Sequence, residues 1–224
     1  MRAIDKRLQD RFPGYTAIAR PNPLNISSVQ KQLGAKEALI FFWDTPKAGP
    51  EPEETFIWVV TKTESRWVRS RLGSKALRDH VDALRCGLDY EGSWQGPRCI
   101  DLLKTTYTTA DRRAGKLLPF DFKRAHELYK ELLGQFEDLI RDKHLLIVPS
   151  GPLTQLPFQV LITKKPDPTV TGLKAYEQAS WLAKGHPITV LPAVSSLKAL
   201  RAYAKRSIAT KPFIGFGNPL LNGD

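Results

Sequence analysis

Ser150 sits in LLIVPSGPLTQLPF, Leu145 to Phe158, where an apolar run breaks at Pro149 and a serine stands beside Gly151. A serine at the sharp end of a strand is where acyl-transfer enzymes place a nucleophile. That chemistry needs a strained elbow with glycine two residues to either side, and an imidazole to take the hydroxyl proton. Here the flanking positions hold Val148 and Pro152, only His144 precedes closely, and His186 follows. The expectation is therefore a turn at the carboxyl end of a strand. Pro149 cannot donate to a ladder, and Gly151 supplies an unusual φ.

The other chemistry-bearing residues are His80, His126, Cys86 and Cys99. No C-x-x-C and no H-x-x-x-H spacing occurs, so a zinc site is not expected. His80 and Cys86 lie on one expected helix but on different faces, and each histidine and cysteine reads as a helix-surface or partly buried residue. GFGNPL, Gly215 to Leu220, suggests a dinucleotide loop, but its third glycine position is Leu220, and Pro219 stands where a helix would start. There is no phosphate-binding loop of the G-x-x-x-x-G-K type. No catalytic, cofactor-binding or metal-ligating residue is assigned, and no cofactor is expected.

The chain of 224 residues carries a net charge of +11 with 42% hydrophobic residues, so it can bury a core and is basic enough to meet polyanions. The densest cations are Arg66, Arg69, Arg71, Lys75 and Arg78, with Glu64 and Asp79 beside them. They read as a solvated face before they read as a phosphate patch. Two cysteines are too few for a disulfide scaffold at this length. The first residues, MRAIDKRLQDRF, contain no apolar signal region, and the longest uncharged stretch, Leu145 to Thr163, holds three prolines and suits no membrane span. A soluble, reducing, cytoplasmic setting without membrane contact is expected.

These residues need a scaffold. ALIFFW (Ala38–Trp43), FIWVVT (Phe56–Thr61) and RWVRSRL read as three strands forming a meander at one edge of a sheet. A helix is expected from Ser74, as its cap, to about Leu88, with Leu77, Val81 and Leu84 on one face. Residues 89–120 read as a long loop or insertion with one short helix near Ile100–Leu103. The spacing of Ala125, Leu128, Leu132, Phe136 and Leu139 predicts one helix over Asp121–Arg141, capped by Asp121. Strands at HLLIVPS, Ile188–Pro192 and Pro212–Gly217 follow, with a helix between the last two, capped by Ser195 or Ser196. Residues 1–35 form an approach segment containing a short helix, capped by Ser27 or Ser28 and ended by Gly34. The alternation predicts an α/β fold with a parallel sheet.

LPFDFKRAHELYKELLGQFEDLI, KHLLIVPSGPLTQLPFQVLIT, YEQASWLAKGHPITVLPAVSSLKALR and PFIGFGNPLL together resemble the CHAT domain, a caspase-like module associated with TPR repeats. The upstream FIWVVTKTESRWVRSRLG is similar to the family's first section, and the resemblance runs from about Gly34 to Leu221. Residues 1–35 resemble the segment joining TPR helices to the domain, which leaves 36–224 as its N-terminal part. The resemblance implies a caspase-like sheet with helices on both faces and a peptidase in which a histidine activates a cysteine thiolate. In the family the histidine occupies an H-G step and the cysteine an A-C step, both after the section similar to GFGNPL. Here Val81, Glu127, Leu145 and Pro187 follow the four histidines, and Arg85 and Arg98 precede the two cysteines. No residue matches the dyad. The expectation is the first half of a CHAT domain, inactive alone: a truncated frame, a fragment or one piece of a split protein.

Half of an α/β sheet leaves apolar edges and faces uncovered. The partner is then expected to be a protein, the complementary half of the domain or a TPR-linked chain. The alternatives are a scaffold without chemistry and, third, a basic module that carries nucleic acid on Arg66–Arg78.

Overall fold

The computed structural model describes residues 24–47, 49–88, 97–116 and 118–203. Its centre is a five-stranded mixed sheet. β1 (Glu37–Thr45), β2 (Glu54–Thr61) and β3 (Ser65–Ser70) form an antiparallel meander. β4 (His144–Val148) and β5 (Ile188–Val190) add parallel strands on the far side of β1, giving the order β3-β2-β1-β4-β5. The meander at one edge is as the apolar runs predict. The strand expected at Pro212–Gly217 lies outside the described residues.

Helices lie on both faces. α1 (Ile26–Gln32) precedes the sheet. Between β3 and β4 come α2 (Ser74–Cys86), α3 (Pro97–Leu103), α4 (Thr109–Arg113), α5 (Phe122–Leu132) and α6 (Glu137–Ile140). α7 (Leu173–Gln178) and α8 (Leu182–Gly185) lie between β4 and β5, and α9 (Val194–Tyr203) follows β5.

The main core forms where Ala38, Ile40, Phe42, Ile57, Val59, Leu145 and Ile147 meet Leu77, Val81 and Leu84 of α2 and Leu128 and Leu132 of α5. Strand residues two apart share a face, which is why these alternate along β1 and β2. Phe42, fully buried, stacks on Phe158 with ring centroids 5.7 Å apart. On the opposite face Leu39, Val60, Leu146 and Val148 pack on Val29 and Leu33 from α1 and its end, and on Leu197 of α9. Residues 24–35 are thus tied to the sheet.

That second face changes character toward β3. Phe41, Trp43, Phe56, Trp58 and Trp67 form a ladder across three strands, with neighbouring centroids 5.6–6.3 Å apart. Trp58 stands opposite both Phe41 and Trp67 in register. Cross-strand aromatic pairs of this kind stabilise a sheet edge. Trp43 and Trp67 keep 54% and 58% of their surface exposed.

Several local expectations need correction. The helix expected over Asp121–Arg141 breaks: α5 ends at Leu132, a 3-10 turn spans Gly134–Phe136, and α6 is separate. The tighter turn keeps Phe136 and Leu139 on the buried side, so the apolar spacing runs through the break. Asp121 does cap α5, its carboxylate accepting from Arg124 N. Asn25, not Ser27 or Ser28, caps α1 by accepting from Ser28 N, and α1 ends at Gln32 with Leu33 as its C-cap, directly before Gly34. Gly73 takes the cap position expected of Ser74. α9 starts at Val194, one residue before Ser195. Residues 97–116, expected as loop with one short helix, hold both α3 and α4.

The cysteines are the largest correction. Cys86 at the end of α2 and Cys99 in α3 are each only 1% exposed and are joined by a disulfide, their Cα atoms 5.6 Å apart. The pairing needs α3 to fold back on α2, which spacing alone does not disclose. Among the described residues, no helix is long and apolar enough to cross a membrane.

Candidate functional site

The carboxyl ends of β1 and β4 lie side by side, because the two strands pair in parallel from Glu37↔His144 to Phe41↔Val148. Open α/β sheets place ligand crevices at such ends. Asp44, near the end of β1, meets Ser150, just past β4. The Ser150 hydroxyl donates to Asp44 Oδ1 at 2.5 Å, and Asp44 N donates to Ser150 Oγ at 2.9 Å. Ser74, opening α2, donates its hydroxyl to the second carboxylate oxygen at 2.5 Å. Three elements are thereby fastened at one carboxylate.

The two glycines here are required by space. At Gly151, with φ +45°, a Cβ would overlap the Asp44 carboxylate. A Cβ at Gly73 would overlap Glu53, whose Oε2 accepts from Lys75 N in the first turn of α2. Asp44 and Glu53 bring carboxylates to the amino end of a thirteen-residue helix, where negative charge is favoured.

This arrangement fastens the loop after β4 to β1 and to α2. The Ser150 hydroxyl donates a hydrogen bond to a carboxylate that also accepts from Ser74, so one side chain ties β1, the end of β4 and the start of α2. The histidines are elsewhere. His144 begins β4, with Nε2 2.8 Å from Thr189 Oγ1, and His186 Nδ1 meets Lys143 O at 3.0 Å. Both mark the amino end of the parallel strands, while Ser150 is past the carboxyl end, on the order of 20 Å away along β4. His126 Nδ1 faces Ile162 O at 3.0 Å, beside a groove of about 670 Å³ between α5 and residues 164–180. His80 is half-buried on α2, and its Nδ1 has no hydrogen-bond partner. Burial holds its imidazole below the ordinary range, with repulsion from Arg124 adding to the effect.

The sequence places Ser150 correctly as a turn residue and misses its partners. Asp44 is 106 positions away, and only the parallel pairing of β1 and β4 brings the two together. The signal available was an acidic residue at the end of one buried run and a serine at the end of another. Among the described residues, no group of three or more His, Cys, Asp or Glu side chains could hold a metal ion.

The cation cluster at 66–78 is largely engaged. Arg66 holds Asp138 at 2.8 Å and Glu64 at 3.3 Å, Arg69 is 3.6 Å from Glu54, and Lys75 is 3.1 Å from Asp79. Strand alternation also sends Arg66 and Arg69 to opposite faces from Trp67 and Val68 respectively. Neither a family model nor a curated protein matches the chain.

Proposed function

We propose that this chain supplies the N-terminal, non-catalytic part of a caspase-like domain of CHAT type. Its sheet is the scaffold, and the Asp44–Ser150–Ser74 cluster forms one wall of a cleft at the carboxyl ends of the parallel strands. A peptidase dyad, where one acts, comes from residues other than these 224. The observation that carries this reading is the engagement of Ser150: its hydroxyl is held by Asp44, and among the described residues no histidine hydrogen-bonds to it. Both cysteines, the family's nucleophile type, are buried in a disulfide. Helices packed on both faces of the sheet support the reading, since the resemblance implies a sheet covered on both sides.

The test is direct. Purified chain incubated with a fluorogenic peptide library, under oxidising and reducing conditions, is expected to give no turnover. Co-expression with a CHAT C-terminal segment containing the H-G and A-C steps is expected to give a stable complex. Turnover by the chain alone overturns the reading.

A second reading, a scaffold that binds a protein without chemistry, is favoured by the exposed rings of Trp43 and Trp67. A nucleic-acid role draws less support, because Arg66, Arg69 and Lys75 already face carboxylates.

A further inference from the structure

Cys86 and Cys99 belong to a small cluster apart from both faces of the sheet. Its buried members are the two cysteines and Leu118, with Leu103 and Tyr107 partly buried against them. Two of its three buried residues are therefore the disulfide itself. The other described ties from α3 are few. Arg98 reaches Asp82 at 2.6 Å and Asp79 at 3.3 Å, and Arg124 donates to Leu102 O at 3.1 Å. The Tyr107 hydroxyl donates to Lys116 O, and Lys116 pairs with Asp111, so these bonds close the segment on itself and not on the sheet. A unit with few apolar contacts outside itself opens at lower free energy than the core does.

We propose that the Cys86–Cys99 disulfide is a redox clamp, which holds residues 97–116 on α2 when oxidised and lets them open when reduced, while the sheet stays folded. The chemistry is thiol–disulfide exchange. A dithiol reductant attacks one sulfur, the S–S bond breaks, and two electrons and two protons convert Cys86 and Cys99 to thiols as the reductant becomes a disulfide. Reoxidation by a small-molecule disulfide, oxidised glutathione, runs the same exchange backward. The sulfurs are buried, so exchange requires the unit to open first, and reduction then prolongs the open state. Opening uncovers Leu118 and Leu103 and separates Arg98 from Asp82. The inference does not depend on the peptidase-like reading.

Hydrogen exchange read by mass spectrometry tests it on the full chain, comparing oxidised protein, dithiothreitol-treated protein and the double variant C86S/C99S. The expected result is at least tenfold faster exchange for amides in 99–116 after reduction and in the variant, with β1 and β4 unchanged. Trypsin is expected to cut after Lys104 and Arg113 at least tenfold faster in the reduced protein. Alkylation of two thiols after incubation with oxidised glutathione means that the bond does not form, and overturns the proposal. Equal exchange in both redox states overturns it as well. Loss of protection in β1 and β4 together with 99–116 overturns the local clamp in favour of a global crosslink.

Discussion

Ser150 and Asp44 share two hydrogen bonds across 106 positions, and Ser74 adds a third bond to the same carboxylate. S150A removes a donor and an acceptor at a part-buried site, and leaves Asp44 N without its acceptor. The expected loss is about 1–3 kcal/mol in urea denaturation. G151A is expected to lose a comparable amount, because the added Cβ meets the Asp44 carboxylate in a left-handed backbone conformation. His80 gives the chain a pH response. Burial depresses its pKa first, and Arg124 adds to this, while Glu127, Asp121 and Asp79 pull the other way. The native state therefore binds fewer protons at this site than the unfolded chain does. Its stabilising contribution is present above the unfolded pKa of about 6.5 and is lost as pH falls through the lower folded value. Thermal denaturation is expected to show Tm falling between pH 7 and pH 5, with a shallower fall in H80Q. An equal or steeper fall in H80Q removes His80 as the cause.

At the scale of elements, α5 is the helix whose start the sequence discloses best. D121A removes its cap from Arg124 N and the ion pair to the same side chain. Stability is expected to drop by about 1 kcal/mol, with the sheet's hydrogen-exchange protection retained. β1 and β4 were legible as uninterrupted apolar runs, because a strand covered on both faces has no polar alternation. The break after Leu132 was not, since Phe136 and Leu139 continue the apolar spacing through a 3-10 turn. Helix caps were misplaced by a residue or more for a related reason. SS in ISSVQKQ looks like a cap, yet Asn25, two to three positions earlier, takes the role. The disulfide was hidden because its formation depends on α3 returning to α2.

At the scale of the whole molecule, the two faces of the sheet differ. One is packed by α2 and α5, and the other is covered by α1 and α9 at Leu39 and Val60 but keeps Trp43 and Trp67 exposed beyond them. Two tryptophans of this exposure, each against Phe56, are expected to bind the dye ANS. W43S/W67S is expected to lower that fluorescence at least threefold with no change in fold by circular dichroism. Unchanged fluorescence would place the apolar surface elsewhere. The mixed sheet with flanking helices followed from the order of apolar runs, whereas the Asp44–Ser150–Ser74 cluster required knowing which strands are neighbours. The measurement that reaches furthest is a paired assay of wild type and S150A, for peptide turnover and for urea stability. The account predicts no turnover in either protein and a stability loss in S150A. Turnover in wild type that disappears in S150A would contradict it, because Ser150 would then be a nucleophile and not a tie between β1, β4 and α2.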